Sequence, residues 1–248
     1  MFIKNILIVT GEPKSIFLEV LLKYIKSKKF KLNKKKLILI GNHKLIFQEM
    51  HRLNYKFKIN KIFKVNEAIS KKINLIDIEI KDIKKKKLRN FESKQYISNC
   101  FKKAFSILNE NKNSVLFNGP INKEKFLKKK FLGLTEYVAN KTKTKYPVML
   151  IYNKKISVSP VTTHLPIKYI VKNLTKFKII NNVKSINSFY VKKFEKKPKI
   201  AVLGLNPHCE TTENIGEEQK IIIPAIKEIK KNSININGPF SADTFFIK

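Results

Sequence analysis

The stretch FIKNILIVTGEPKSIFLEVLLKYI, residues 2–25, decides the fold class. Its first part, residues 2–9, is rich in β-branched residues and predicts a buried strand. The segment TGEP, residues 10–13, breaks that strand. Apolar residues then recur every four positions from Ile16 to Tyr24, which predicts a helix. A strand followed at once by a helix is the building unit of α/β proteins.

The same alternation of short apolar runs and amphipathic helices continues along the chain. Further strands are predicted at 37–40, 114–117, 148–152, 156–161 and 199–203, with a last strand beginning at 234. Further helices are predicted at 46–53, 97–108, 175–194 and 217–230, and the helix 175–194 is expected to bury a face that includes Phe177 and Val183. Residues 55–90 mix apolar runs with lysines, so they indicate strands and loops without fixing either. The whole pattern predicts an α/β protein.

The charge balance is strongly basic, with 53 Lys and Arg against 18 Asp and Glu and a net charge of +35. Such a charge is typical of proteins that bind nucleic acids or anionic membranes. The lysines are spread along the whole chain together with abundant Ile and Asn, which indicates AT-rich codon usage. No RNP-like aromatic motif or zinc-finger spacing accompanies them. We therefore expect no nucleic-acid partner, although a positive field would favour a phosphorylated small molecule.

Cysteine usage and hydropathy indicate the compartment. Cys100 and Cys209 are the two cysteines; they lie far apart and form no CxxC, which favours a reducing cytoplasm. No run approaches the roughly 18 consecutive apolar residues of a membrane span. The apolar start has no small-residue cleavage site and is interpreted as a first strand. We expect a cytoplasmic protein with no membrane partner.

Four polar clusters follow predicted strands, where open α/β sheets bind their ligands. They are TGEP at 10–13, NGP at 118–120, TTH at 162–164 and NPH at 206–208. The last two contain His164 and His208, and imidazole is the commonest ligand for transition metals. Their spacing alone leaves two interpretations open: a pair of metal ligands, or two loop histidines bonded to the backbone.

Other motifs exclude several kinds of site. His43 and His51 have no acidic residue or cysteine at ligand spacing, so we interpret them as residues of a surface helix. Neither GxxxxGK[ST] nor GxGxxG occurs in a chain with only seven glycines, which excludes a Walker loop and an ordinary Rossmann cofactor site. GxSxG and HExxH are absent as well.

Five sequence motifs, in order along the chain, resemble the 4-hydroxythreonine-4-phosphate dehydrogenase family. ILIVTGEPKSI (6–16) looks like the family's opening, and FNGPINKEKF (117–126) with FLGLTEYVAN (131–140) is similar to its Gly-Pro-x-x-Lys and Gly-His-Thr-Glu stretches. VTTHLPIKYI (161–170) resembles its Thr-Thr-His-Leu-Pro motif. LGLNPHCETTENIGEEQKIIIPAI (203–226) resembles its Leu-Asn-Pro-His segment, and INGPFSADTFF (236–246) its Gly-Pro-x-x-Ala-Asp-Thr-x-Phe.

The resemblance implies an α/β fold similar to that of isocitrate and isopropylmalate dehydrogenases. Residues 1–248 would form a single family region with two interleaved α/β/α subdomains around a cleft, in a homodimer. The implied reaction is the metal-dependent, NAD- or NADP-linked oxidation and decarboxylation of 4-phosphooxy-L-threonine in vitamin B6 biosynthesis. A divalent metal (Zn, Mg or Co) would act as a Lewis acid.

Site residues follow from the same resemblance, position by position. His164 and His208 match two of the family's three metal histidines. Asp243 matches an acidic residue near the metal and is the candidate catalytic residue. Thr135 matches a substrate contact, and the matched motifs place Lys123 and Asn206 in the lining of the cleft, as weaker substrate-binding candidates.

Departures from the family pattern keep alternatives open. Leu134 replaces the family's histidine before the substrate threonine, which raises a different phosphorylated hydroxy acid, such as threonate or erythronate 4-phosphate, as substrate. The family's early Gly-Ile-Gly is Ser-Ile-Phe at 15–17, and its glycine-rich stretch after the second histidine is replaced at 209–214. The sequence ends at Lys248, before the Tyr-His-Asp-Gln motif that holds the third metal histidine, so we expect a C-terminally truncated member. An inactive remnant with a basic surface is the remaining alternative.

Overall fold

The computed structural model describes residues 3–13, 15–80, 90–127, 130–209 and 216–247. Most of the stretch 209–214 lies outside these ranges. The chain divides into two compact units, Met1–Tyr137 and Val138–Lys248, and each contains its own sheet. The interleaving of two subdomains stays a prediction.

The first unit is built on a five-stranded sheet in which every neighbouring pair is parallel, in the order β3-β4-β2-β1-β5. Its strands are β1 Asn5–Val9, β2 Lys36–Gly41, β3 Ile59–Lys61, β4 Ile73–Asp77 and β5 Ser114–Asn118. Its helices are α1 Phe17–Lys26, α2 Lys28–Leu32, α3 His43–Arg52, α4 Asn90–Glu110 and α5 Lys123–Leu127, with a 3-10 helix at Val65–Glu67; α6 Leu134–Lys141 contains the division between the units. These elements confirm the strands and helices predicted before residue 120 and add β3 and β4 within the undecided region.

The second unit contains a two-stranded parallel sheet, β6 Ile200–Leu203 and β7 Ile236–Phe240. Its helices are α7 Ile170–Asn173, α8 Lys176–Phe194 and α9 Ile223–Lys230, with a 3-10 helix at Ile167–Tyr169 and a π-helix at Glu218–Ile222 that leads into α9. Its core is a cluster of buried apolar side chains from α8, α9 and β7 with their flanking residues: Leu174, Ile179, Val183, Ile222, Ala225, Ile226, Ile229 and Ile236.

Helix α8 confirms the predicted element but not the whole of its predicted buried face. Thr175 caps the helix, and its hydroxyl accepts the Lys178 N–H at 3.3 Å. Val183 is buried as expected, whereas Phe177 is 52% exposed, so that part of the prediction was wrong. The buried face passes through Ile179, and a residue two positions earlier lies about 200° around the helix from it.

The strands predicted at 148–152 and 156–161 were also wrong. A single antiparallel bridge joins Ile151 to Val158, with N–H···O distances of 2.8 and 2.9 Å. Both side chains of this pair are exposed in the described structure. Strand propensity reflects packing on a half-buried surface, and without that cover the β-branched residues form only one bridge.

None of the helices in the described ranges combines the length with the apolar content that crossing a bilayer requires.

Asn74 on β4 holds three parts of the first unit together. Its side chain is fully buried. The amide group donates to the carbonyl oxygens of Leu37 at 2.8 Å and Ile69 at 2.9 Å, and its oxygen accepts the Ile69 N–H at 2.8 Å and the Asn60 amide at 2.8 Å. A polar side chain is stable at this depth because its donors and acceptor are satisfied.

We expect the substitution Asn74→Leu to destabilise the first unit by about 3 kcal/mol, because it leaves several buried partners without hydrogen bonds. Urea unfolding followed by circular dichroism measures the change. Asn140→Leu, at an exposed position on α6, is the matched control and should shift the midpoint little. Equal midpoints for the two variants would contradict the role assigned to Asn74.

Candidate active site

Two of the predicted polar clusters, those after β1 and β5, lie at one edge of the five-stranded sheet. Val9 pairs with Asn118 in parallel register, so both strands end there. The Gly119 N–H donates to the Val9 carbonyl at 2.8 Å, and the Glu12 N–H donates to the Pro120 carbonyl at 2.9 Å. The loops after the two strands are therefore joined through their backbones.

Gly11 is required where these two loops meet. Its φ is +77°, in the region that favours glycine, and a Cβ atom here would lie 2.6 Å from the Pro120 carbonyl oxygen. The loop after β1 therefore cannot take a larger residue at this position without moving the loop after β5.

Tyr96, from α4, fixes the same edge of the sheet. Its hydroxyl lies 3.0 Å from the Thr10 hydroxyl and accepts the Asn42 N–H at 2.9 Å. Burial raises the pKa of the Tyr96 hydroxyl well above its ordinary value, so it stays a neutral donor and acceptor. One turn along α4, burial raises the pKa of the Cys100 thiol to about 12.

The Cys100 thiol should therefore make the free energy of unfolding decrease at alkaline pH. In the unfolded chain its thiol ionises near pH 9.0, whereas the folded state keeps the proton up to about pH 12. Stability from this thiol is complete below pH 9.0 and is lost as pH rises toward the folded pKa, because the unfolded state then binds fewer protons. We expect wild type to lose about 2 kcal/mol more than Cys100→Ala between pH 8 and 10.5. Parallel pH profiles in urea unfolding would contradict this.

In the second unit the carboxyl ends of β6 and β7 meet at one edge, because the strands are parallel neighbours. The Gly204 N–H donates to the Phe240 carbonyl at 3.0 Å, and the Ala242 N–H donates to the Pro207 carbonyl at 2.8 Å. We call residues 204–209, which follow β6, the His208 loop. The backbone of this loop is bonded to the residues that follow β7.

His208 and Asp243 form a pair at this edge. The His208 Nδ1 atom lies 3.0 Å from an Asp243 carboxylate oxygen. The His208 N–H donates to the Asn206 side-chain oxygen at 3.0 Å, and its carbonyl accepts the Ser241 hydroxyl at 3.0 Å. With Nδ1 directed to the carboxylate, Nε2 is the ring atom available to a ligand, and the imidazole is 71% exposed. Metal-binding histidines commonly have this carboxylate partner.

Glu218 was missed by the sequence analysis and bonds to the same loop. Its side chain is only 1% exposed, and its Oε1 atom accepts the Leu205 N–H at 2.9 Å and the Asn206 N–H at 2.8 Å. The signal was present in the sequence, since Glu218 precedes the apolar positions Ile222 and Ala225 at helical spacing. A carboxylate on a buried helix face needs a specific partner.

His164 takes a less regular position than predicted. It follows the single bridge at Val158 instead of a strand, and it has a left-handed φ of +56° and an exposed side chain. No described hydrogen bond or ion pair links it to His208. Across the described ranges, no group of three or more His, Cys, Asp or Glu side chains could hold a metal ion. A shared metal for His164 and His208 stays a prediction.

Thr135 and Lys123, the other predicted substrate contacts, belong to the first unit. Thr135 is half-buried in the first turn of α6, and Lys123 is the exposed first residue of α5. His43 and His51 lie on α3, as predicted, with His51 exposed. The structure thus joins Asn206, His208 and Asp243 by direct contacts.

Parallel sheets with polar loops at the carboxyl ends of their strands define the α/β class of ligand-binding proteins. The family model described as "Pyridoxal phosphate biosynthetic protein PdxA" matches residues 33–248. A 4-hydroxythreonine-4-phosphate dehydrogenase from Sulfurihydrogenibium sp. is 34% identical over 248 residues, 96% of this chain and 74% of the relative. The chain belongs to this PdxA family.

Two further proteins are similar to this chain. A Clostridium botulinum protein provisionally named D-threonate 4-phosphate dehydrogenase is 31% identical over 220 residues, 84% of this chain and 65% of that protein. The crystal structure of a 4-hydroxythreonine-4-phosphate dehydrogenase from Burkholderia phymatum matches with a TM-score of 0.83 at 24% identity, covering 100% of this chain and 77% of that chain. This last match confirms the predicted α/β fold.

Proposed function

We propose that the protein oxidises and decarboxylates 4-phosphooxy-L-threonine in vitamin B6 biosynthesis, with a divalent metal and NAD or NADP. Family membership supports the reaction, since the Sulfurihydrogenibium relative has the matching name. The observation that carries the proposal in this chain is the His208–Asp243 pair at 3.0 Å. It is the arrangement in which an imidazole is held ready to bind a metal.

The donor set fits a transition metal. His208 and His164 would hold the ion, and imidazole nitrogen favours Zn²⁺ or Co²⁺ over Mg²⁺. When bound, the metal supplies Lewis acidity to the substrate's oxygen atoms. The Asp243 carboxylate would accept a hydrogen bond from the His208 Nδ1–H, which fixes the ring's tautomer and orientation. Two imidazoles are fewer than the three protein ligands usual for a catalytic zinc, so these two residues by themselves should bind metal weakly.

The nicotinamide cofactor rests on family membership alone. The residues after β1 are Thr10 to Pro13 and do not form the glycine-rich phosphate loop of Rossmann proteins, so no residue here is assigned to the cofactor. A homodimer and a cytoplasmic location belong to the same proposal and are supported by the family resemblance and the cysteine usage.

The substrate phosphate would be held by positive charge and by hydroxyl donors. A net charge of +35 attracts a phosphorylated substrate, and Lys123 and Thr135 are the candidate contacts in the first unit. Asn206, beside His208, is a weaker candidate for a substrate contact. Leu134, half-buried at the start of α6, cannot donate a hydrogen bond to phosphate.

Metal binding tests the proposed site directly. We expect Zn²⁺ titrated into the 248-residue protein to bind weakly at one site, and His208→Ala and His164→Ala each to abolish that binding, since each removes half of the ligands. Isothermal titration calorimetry measures the affinity. His51→Ala, on the exposed face of α3, is the matched control and should bind like wild type. Wild-type affinity in His208→Ala would refute the site, and tight one-to-one binding would refute its predicted weakness.

A second candidate substrate is D-threonate 4-phosphate. The relative from Clostridium botulinum carries that name, and Leu134 removes a polar group that the first substrate's family uses. Both substrates are phosphorylated hydroxy acids, so the same charge and the same metal would serve either one.

A panel of substrates distinguishes the two candidate substrates from each other and from the inactive remnant. We expect slow NADH formation from 4-phosphooxy-L-threonine, and a gain in kcat/KM of at least about tenfold for Leu134→His, because a hydrogen bond to a charged phosphate contributes about 1.5–3 kcal/mol. Leu134→Met, which adds no donor, is the control. Faster turnover of D-threonate 4-phosphate by wild type would favour the second candidate. A folded protein inactive on both substrates would favour the inactive remnant.

A further inference from the structure

A buried carboxylate supports the loop that carries His208. Glu218 Oε1 accepts two consecutive backbone N–H groups, from Leu205 and Asn206, at 2.9 and 2.8 Å. The side chain is 1% exposed, and its Oε2 atom has no hydrogen-bond partner among the described residues. One buried oxygen thus satisfies two loop amides three and two residues before the candidate metal ligand.

Burying a carboxylate of this kind costs free energy of folding, so its position indicates a specific role. Burying a charged group without full pairing disfavours folding, so a residue with one unpartnered oxygen is expected where it has a specific task. Apolar replacement would leave the Leu205 and Asn206 amides without their acceptor. Each buried amide without an acceptor lowers the free energy of unfolding, so we expect the loop to rearrange.

The Glu218 carboxylate lies at the start of an irregular helical turn. Glu218 begins the π-helix Glu218–Ile222, in which the Ile223 N–H bonds to the Glu218 carbonyl. Pro224 has no N–H to donate to the carbonyl four residues before it, and a wider turn before the proline accommodates this loss. π-helical turns of this kind are frequent at functional sites.

Close packing makes the contact specific. A Cβ atom at Gly204 would lie 2.2 Å from the Cys209 sulfur and 3.1 Å from Glu218 Oε1. The first and last residues of the His208 loop and the carboxylate therefore leave no room for another side chain. Cys209, the last residue of the loop, has a left-handed conformation with a φ of +59°.

We infer that Glu218 is a positioning residue: it fixes the backbone of the His208 loop so that the imidazole meets the metal and Asp243 in one orientation. This inference rests on the proposed function, in which His208 is a metal ligand. Glu218 itself would touch neither metal nor substrate. Partners beyond the direct ligands of a metal commonly change its affinity about 10–100-fold.

The test compares four variants in a Zn²⁺ titration followed by the His208 ring signals in NMR. We expect Glu218→Ala to weaken Zn²⁺ binding at least about tenfold and Glu218→Gln to stay within about threefold of wild type, because glutamine keeps an oxygen that accepts both amides. Glu228→Ala, which removes from α9 the exposed carboxylate that pairs with Lys176 of α8, is the matched control and should bind like wild type. His208→Ala reports on the proposed function separately, through calorimetry.

A merely structural role would lower thermal stability in Glu218→Ala and leave the affinity of the folded protein unchanged, and that result would overturn the inference while His208→Ala still loses binding. If His208→Ala binds Zn²⁺ like wild type, the proposed function fails instead. Should Glu218→Ala not fold, Glu218→Asp keeps the charge but shortens the side chain, and it should weaken Zn²⁺ binding; unchanged affinity there would also overturn the inference.

Discussion

Parallel strand pairing is the constraint on which the candidate site depends. Because β6 and β7 run in the same direction, their carboxyl ends meet, and residues that are distant in sequence come together. His208 and Asp243 lie on the two loops that leave this edge, and hydrogen bonds between the loop backbones fix their relative position. The pair therefore follows from the sheet and not from any local sequence motif.

The two strand-end edges are held by different interactions. In the first unit, glycines at close backbone contacts and the neutral Tyr96 hydroxyl hold the loops, and the Glu12 carboxylate of this edge accepts the Ser93 hydroxyl at 2.6 Å. In the second unit, the carboxylates of Glu218 and Asp243 bond to the His208 loop. An imidazole with a carboxylate partner favours a bound cation, so the His208–Asp243 pair is the feature that supports the proposal of metal chemistry in the second unit.

Much of the fold could be predicted from the sequence, because β-branched runs and helical periodicity directly reflect burial. The strands at β1, β2, β5 and β6 and the long helix α8 were found in this way. The segment around Ile151 and Val158 has strand propensity, but both side chains are exposed in the described structure. Because no other part of the described structure packs over them, these residues form a single bridge and not a strand pair. Phe177 was misplaced because a helix rich in apolar residues offers more than one candidate face.

The site could be predicted only in part, for a related reason. Histidines and prolines at strand ends mark His208, whereas Asp243 was placed near the metal only by its family motif, because the residue pattern does not specify which strands are neighbours. The role of Glu218 could not be predicted from a sequence motif, because its partners are backbone amides and these carry no sequence signal. An acidic residue in register with an apolar helix face is nevertheless a physical contradiction, and a buried acceptor for loop amides resolves it. The sequence thus marks Glu218 as a residue that needs a buried partner, and the structure shows that its partners are the Leu205 and Asn206 amides of the loop that carries the imidazole.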